Sequence, residues 1–156
     1  PQMEQPQYNL FERQKVEADY APLYDLMGLG TTIWSPLKGG VLTGKYNDGI
    51  PADSRMTLPG YEWLKAQWDS EEGRRQIDKV RALSALADEV GMAAHHQAVH
   101  WSLANPRVTS VLLGASRPAQ LADNLKALES RDKLTPEVIA RIEAIVDNAP
   151  APPPRY

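Results

Sequence analysis

The sequence predicts an α/β protein with a parallel sheet, because strand-like apolar runs alternate along the chain with segments of helical periodicity. Strands that alternate with helices become parallel neighbours through helical crossovers. The chain has only three strand-like runs, fewer than a parallel sheet covered on both faces normally contains. We therefore expect an incomplete α/β unit over residues 1–148, followed by a flexible Pro-rich tail over residues 149–156.

The first strand and helix come early in the chain. The segment MEQPQYNL alternates weakly and breaks at a proline, which predicts a strand end that runs into a loop. Residues 15–29 carry apolar side chains at helical spacing, and Gly28 and Gly30 predict the helix stop. The β-branched and apolar run 31–34 predicts a short buried strand.

The middle of the chain predicts a long loop and three helices. Residues 35–60 are dense in Gly, Pro, Asn, Asp and Ser, and long loops of this kind are usually functional or disordered. A short helix is predicted over 61–68, the clearest helix over 72–90, and another over 93–104 that ends at Asn105-Pro106. The apolar stripe of the clearest helix consists of Ile77, Val80, Leu83, Leu86 or Ala87, and Val90.

The last third predicts one more strand and two helices. The run VTSVLL, residues 108–113, predicts another buried strand. A helix is expected over 118–128, and a second from Pro136 to about Val146 with Thr135 as its N-cap.

The composition excludes several classes of function. A formal net charge of −3 argues against a general nucleic-acid surface, which is normally basic. The chain has no Cys, so disulfides, thiolate catalysis and zinc–thiolate sites are absent. No apolar run approaches the length of a membrane span, and no secretory signal is visible. We expect a cytoplasmic protein.

Two motifs carry the functional signal: WSPLKGGVLTGKY, residues 34–46, and VLLGASRPAQLADN, residues 111–124. Each is a strand-like run that opens into a loop or helix start rich in small and polar residues. Backbone N–H groups in such loops can hold phosphate oxygens, and a helix N-terminus favours anions. Together the motifs resemble the two cofactor-binding loops of the aldo-keto reductases, which are NADP(H)-dependent (β/α)8 barrels.

Two further segments narrow the resemblance. GIPADSR, residues 49–55, and GYEWLKAQWDSEEGRRQ, residues 60–76, are similar to the subgroup that contains the β-subunits of voltage-gated potassium channels. The resemblance implies that the chain is the C-terminal half of a (β/α)8 TIM barrel, strands six to eight with their helices. It also implies that the catalytic tetrad of Asp, Tyr, Lys and His or Asn lies on an N-terminal half that this chain, which begins at Pro1, does not contain.

The resemblance assigns the nicotinamide end of the cofactor to two side chains. Gln5 matches the residue that hydrogen-bonds the carboxamide, since an amide donates and accepts at once. Trp34 matches the aromatic residue that stacks on the nicotinamide ring. Without the resemblance, a surface Gln and a core Trp are the simpler readings. The loop that wraps the pyrophosphate is matched by Ser35, Pro36, Leu37 and Gly39.

Several charged residues follow in the long loop. By the same resemblance, Lys45 and Arg55 match basic residues that fold over the cofactor, where charge-assisted bonds to phosphate favour Lys and Arg; ordinary surface charge is the alternative. Lys38 replaces a small residue, and we expect it to point to solvent rather than to the phosphates. Asp53 replaces a Tyr, and we assign it no cofactor contact.

The second motif is assigned to the adenosine end of the cofactor. The resemblance implies that the 2′-phosphate lies beside Ser116 and Arg117 at the start of a helix. A capped helix with Arg117 in solvent is the alternative. Gln120 and Asn124 are i, i+4 neighbours suited to reading adenine edges, and Asp123 matches a Glu that contacts adenine or ribose. The implied set is Gly114, Ser116, Arg117, Gln120, Asp123 and Asn124.

Other signals are weaker. His95, His96 and His100 share a predicted helix, but there is no Glu at HExxH spacing and no Cys, and zinc normally takes three or more protein ligands. We therefore expect no metal site. A GxGxxG motif is absent, which argues against a Rossmann dinucleotide site.

These signals predict the NADP(H)-binding half of a reductase that reduces aldehydes or ketones by hydride transfer, inactive without the tetrad. The alternative is a non-catalytic structural or regulatory subunit of a channel or a larger assembly. The expected partners are the N-terminal barrel half, a small carbonyl substrate, and either copies of the chain in a homotetramer or a membrane channel that holds it at the membrane periphery.

Overall fold

The three strand-like runs pair side by side in chain order in the computed structural model, which describes residues 2–152. Strand β1 is Met3–Glu4, β2 is Gly30–Trp34 and β3 is Ser110–Leu112. All pairings are parallel, with β2 in the centre. The predicted α/β class with a parallel sheet is confirmed.

The helices lie where the apolar periodicity predicts most of them. Helix α1 is Ala21–Met27, α2 is Glu62–Asp69, α3 is Glu71–Glu89, α4 is Ala94–Ala104, α5 is Pro118–Leu125 and α6 is Pro136–Val146. A π-helical turn, Lys15–Asp19, precedes α1, and 3-10 turns cover Lys38–Thr43, Arg55–Thr57 and Lys126–Lys133.

Helix α3 has sequence signals that agree at both ends and along its length. Ser70 accepts a hydrogen bond from the Gly73 N–H at its start, and two glutamates in the first turn favour the helix dipole. Gly91, with φ of 68°, ends the helix in a left-handed turn. The buried stripe, Val80, Leu83, Leu86 and Ala87, faces the core.

Three predictions of element extent are corrected. The helix predicted over 15–29 is split between a π-helical turn and α1; Gly28 caps it, while Gly30 begins β2. The long loop 35–60 contains two 3-10 turns. The helix predicted over 118–128 ends as an α-helix at Leu125 and continues as a 3-10 turn.

Strand β3 also differs from the prediction, since it is shorter than 108–113 and largely exposed. Val111 packs against the core, while Ser110 and Leu112 on either side of it are exposed, and β3 is an edge strand within the described residues. By contrast, Thr31 and Ile33 of the central strand are fully buried. The position of a strand in the sheet thus decides its burial, since the runs of β2 and β3 are similar in sequence but have different surroundings.

The C-terminal part follows the prediction. Helix α6 has Thr135 as its N-cap, which accepts a hydrogen bond from the Val138 N–H, and Ile142 and Val146 are buried against α3. Residues 149–152 belong to no helix or strand. The rest of the predicted tail, 153–156, lies outside the described residues. Over residues 2–152, no helix combines the length and the apolar character needed to cross a membrane.

Candidate functional site

The predicted site residues follow the C-terminal ends of all three strands. Gln5 follows β1, Trp34 ends β2, and Gly114 is the second residue after β3. Because the strands are parallel and adjacent, and Trp34 pairs in register with Leu112, the three connecting loops begin at one edge of the sheet. This edge is where parallel α/β proteins bind their ligands.

Gln5 and Trp34 line one cavity of about 420 Å³ at that edge. The Trp34 side chain is 44% exposed, which is unusual for a tryptophan in a central strand. Glu12 and Lys15 line the same cavity from the segment after β1. The cavity therefore offers a flat aromatic face, an amide and charges of both signs to a ligand.

The loop after β2 has a run of left-handed backbone conformations. Ser35, Lys38, Gly39 and Gly40 have φ of 57°, 48°, 64° and 95°. Such conformations cost about 1–3 kcal/mol each for residues other than glycine. Two of the four are not glycine, so surrounding contacts must hold the loop in place.

Asn9 provides such a contact. Its fully buried side chain donates from Nδ2 to the Ser35 carbonyl at 2.9 Å. Its Oδ1 accepts from the N–H groups of Phe11 and Glu12 at 3.0 and 3.1 Å. One amide thus fixes the loop after β2 to the loop after β1.

Lys38 is not in solvent, as the sequence leads us to expect. It is 8% exposed, and its ammonium group pairs with the Glu12 carboxylate. The Asn9 hydrogen bonds bring Glu12 next to the loop, and this contact between sequence-distant segments has no signal in the local pattern. The Lys38–Glu12 ion pair therefore joins the same two loops as the Asn9 hydrogen bonds.

The other two basic residues of the long loop are exposed and lie over aromatic rings. The Lys45 ammonium is 4.9 Å from the centre of the Tyr46 ring, and the Arg55 guanidinium is 5.7 Å from that of Tyr61. Cation–π contacts of this kind orient a charge and leave its N–H donors available.

Three donors converge on one oxygen at the start of α5. The Ser116 N–H and hydroxyl both donate to Gln120 Oε1 at 2.9 Å, and the Arg117 N–H donates to it at 3.2 Å. Gln120 here caps its own helix and holds an acceptor where free helix N–H groups favour an anion. A phosphate oxygen would meet the same three donors at this position.

Arg117 also connects the two loops. Its guanidinium donates to the Asp53 carboxylate at 3.4 Å, and both side chains are mostly exposed. The long loop after β2 is therefore tied to the start of α5 across the C-terminal edge. Asp53, to which we assigned no cofactor contact, contributes a loop-to-loop contact in this structure.

Asp123 and Asn124 are the last two predicted residues of the second motif, and Asp123 contacts α4. His95 Nε2 is 2.8 Å from Asp123 Oδ2, and His96 Nε2 is 2.7 Å from the Asp123 carbonyl. The hydrogen bond with His95 lowers the pKa of Asp123, while burial and the neighbouring His96 lower the pKa of His95. Asn124 is buried, whereas Gln120 is exposed, so the two amides do not share one open face.

Sequence reasoning missed Asn9, Glu12 and a buried ionic cluster behind them. Arg13 forms ion pairs with Glu17 at 2.9 Å and Glu143 at 2.6 Å and lies over the Trp101 ring. The signal was available in part, because NLFER places polar and charged residues within an apolar segment. Their partners, however, lie up to 135 residues away, and only folding identifies them.

Comparisons with known proteins agree on one family. A profile of the Aldo/keto reductase family matches residues 1–147. A putative voltage-gated potassium channel subunit beta from Schizosaccharomyces pombe is 45% identical over 150 residues, which cover 96% of this chain and 43% of the relative. A probable voltage-gated potassium channel subunit beta from Oryza sativa subsp. japonica is 47% identical over 151 residues, which cover 96% and 45%. The chain thus spans less than half the length of these relatives.

Proposed function

The chain belongs to the aldo/keto reductase family, and we propose that it forms the NADP(H)-binding part of a reductase for aldehydes and ketones. On this proposal, β1 to β3 are strands six to eight of a (β/α)8 barrel. The parallel order β1–β2–β3 supports it, because consecutive strands of such a barrel are parallel neighbours.

The single observation that carries the proposal is the convergence of three donors at the start of α5. The Ser116 N–H and hydroxyl and the Arg117 N–H surround one acceptor oxygen at 2.9–3.2 Å. In the proposed complex, the 2′-phosphate replaces Gln120 Oε1 there, and the released Gln120 amide turns to the adenine. The exposed Arg117 guanidinium adds a charge-assisted bond once it leaves Asp53.

The nicotinamide end is assigned to the cavity that Gln5 and Trp34 line. A bound NADP(H) supplies the hydride. Trp34 offers its exposed face to the nicotinamide ring, and Gln5 donates to and accepts from its carboxamide. Between the two ends lies the loop 35–40, which Asn9 holds in place. Its Lys38 and Gly40 N–H groups are bonded to carbonyls within the loop, so the pyrophosphate is assigned to the other N–H groups of the loop. Lys45 and Arg55 cover it from the long loop.

The acid that protonates the carbonyl oxygen is assigned to polypeptide outside this chain. We infer that the 156 residues alone are inactive and that another stretch of polypeptide completes the barrel and contributes the catalytic tetrad. The share of the relatives that the chain covers, 43% and 45%, supports this division.

The test joins this chain to the part of the Schizosaccharomyces pombe relative that it does not match, a fusion hereafter called the complemented protein. NADPH is titrated into it while nucleotide fluorescence is followed, and aldehyde-dependent NADPH oxidation is then measured. We expect saturable binding and turnover in the complemented protein and neither in the isolated chain. Absence of saturable NADPH binding in a folded complemented protein contradicts the proposal.

A second candidate is a structural or regulatory subunit; the observation behind it is that both relatives are named as voltage-gated potassium channel β-subunits. On this proposal the chain acts in the cytoplasm, assembles as a tetramer and docks on a membrane channel. Sedimentation of the complemented protein measures the oligomer, and an NADPH-binding protein without turnover favours this candidate over the first.

A further inference from the structure

Two histidines and one aspartate that are separated in sequence meet between α4 and α5. His95 and His96 lie in the first turn of α4, and Asp123 lies in α5. Each offers one ligand atom, and the three atoms all lie within 4.8 Å of one another. No third ligand for these histidines is evident from the local sequence pattern, and the packing of α5 against α4 supplies one.

The distances are close to those of a first-row metal site. Bonds of 2.0–2.2 Å to a tetrahedral zinc ion separate its ligand atoms by about 3.3 Å. His95 Nε2 lies 2.8 Å from Asp123 Oδ2, and His96 Nε2 lies 3.9 Å from Asp123 Oδ1. These contacts involve different oxygens of Asp123, so the carboxylate must turn to present one oxygen to the ion and the two imidazoles must move toward it. His96 must also release the Asp123 carbonyl.

A divalent cation binds neutral imidazole and ionised carboxylate. The proton of a neutral imidazole can move to Nδ1, which leaves Nε2 available to a metal.

The fourth position is open to water, and one charge opposes the cation. The Asp123 side chain is 46% exposed, so solvent reaches the cluster from the α5 side. The Lys126 ammonium lies 3.6 Å from Asp123 Oδ1. It is exposed and at the end of a flexible side chain, so it can swing into solvent when a cation binds.

We propose that His95, His96 and Asp123 bind one divalent ion of the zinc, cobalt or nickel type, with water as the fourth ligand. Two imidazoles select these ions over Mg²⁺ and Ca²⁺, which prefer all-oxygen sites. The bound ion links α5 to α4, because it takes ligands from both helices. Asp123 is also in the set that the resemblance assigns to the adenosine end of the cofactor, whereas His95 and His96 are not. Metal binding does not depend on the reductase activity.

The experiment titrates Co²⁺ into the untagged chain and records the intense visible absorption of four-coordinate cobalt, followed by displacement with Zn²⁺. We expect one ion per chain. His95→Gln and Asp123→Asn each remove one ligand and should weaken binding by more than the roughly 10- to 100-fold that loss of an outer-shell partner costs. His100→Gln is the matched control, because His100 lies on the same helix but outside the cluster.

Circular dichroism establishes that each variant keeps its helices, and hydrogen exchange reports whether zinc protects α5. Protection of α5 in the wild type, absent in Asp123→Asn, supports the proposal. Three outcomes overturn it: cobalt binding that does not saturate, equal binding in the wild type and in both ligand variants, or a loss in His100→Gln as large as in His95→Gln.

Discussion

At the scale of single residues, position relative to the sheet distinguishes side chains that look alike in sequence. Arg107 and Arg117 flank β3, one before its first residue and one beyond its last. Both are exposed and paired with a carboxylate, Asp25 and Asp53 respectively. Of the two, only Arg117 lies at the C-terminal edge of the sheet, where the long loop after β2 meets the start of α5.

We expect Arg117→Met to weaken NADPH binding by the complemented protein more than about 10-fold, since a hydrogen bond to a charged group contributes about 1.5–3 kcal/mol. NADH, which lacks the 2′-phosphate, should bind almost as before. Fluorescence titration with both nucleotides measures the ratio. Arg107→Met is the control at the opposite end of β3 and should leave both affinities unchanged; an equal loss for NADPH and NADH would refute the 2′-phosphate assignment.

His100 is a polar residue whose burial affects stability. It is 7% exposed, and its Nδ1 has no hydrogen-bond partner. Burial, and then the nearby Arg131 charge, lower its pKa from the ordinary value of 6.5. At this position the unfolded chain therefore binds a proton more readily than the folded chain. Neutral His100 makes its full contribution to the free energy of unfolding above pH 6.5, and this contribution is lost as the pH falls through the pKa of His100 in the folded state.

Because the lowered pKa of His100 makes protonation destabilising, we predict that the free energy of unfolding of the complemented protein decreases between about pH 7 and pH 5. Both His100→Leu and His100→Gln should make that decrease smaller, because neither side chain takes up a proton. Urea midpoints across this pH range measure the effect. If the urea midpoints of the wild type and of both variants decline in parallel, His100 does not contribute to the pH dependence of stability.

At the scale of elements, helices with consistent local signals were predicted well. Helices α3 and α6 have an apolar stripe at helical spacing, an N-cap and a suitable first turn, and each lies within one residue of its predicted span. The apolar spacing gave no signal for the split of the first predicted helix into a π-helical turn and α1; the two parts are joined by a hydrogen bond from the Tyr24 hydroxyl to the Val16 carbonyl at 3.0 Å.

The junction of α2 and α3 gives a sharp element-scale prediction. A Cβ on Gly73 would lie 2.6 Å from the Trp68 Cα, in contact with backbone that cannot move aside. Alanine is favoured over glycine in a helix by about 1 kcal/mol, but overpacking costs about 1–3 kcal/mol. We therefore expect Gly73→Ala to destabilise the complemented protein, by up to about 2 kcal/mol, as measured by urea unfolding.

Gly114→Ala is the control for stability, because a Cβ there meets no atom within 4 Å. It should leave the urea midpoint nearly unchanged. A Gly73→Ala variant more stable than wild type would mean that α2 and α3 can separate at this junction.

At the scale of the whole molecule, the sheet has two open edges within the described residues. The outer sides of β1 and β3 pair with no other strand there, and Met3, Trp34 and Leu112 at the sheet and Leu121, Leu125 and Leu128 around α5 are exposed. Apolar surface of this extent normally marks an interface, and open strand edges promote aggregation.

We predict that the isolated chain unfolds below the range of about 45–65 °C that is usual for mesophilic domains, and that the complemented protein unfolds at a higher temperature. Differential scanning calorimetry of both proteins measures the difference. Sharp, cooperative unfolding of the monomeric chain within that range would show that its own core suffices.

The sequence by itself determined the α/β class, most helices and the two loop motifs, because periodicity, caps and glycine turns are local properties of the chain. Tertiary structure decided which residues meet. It buried Lys38 against Glu12, fixed Ser35 through Asn9, joined Arg117 to Asp53 and gathered His95, His96 and Asp123. Each of these contacts joins segments 26 or more residues apart, and a pattern read over one or two turns carries no information on such a distance.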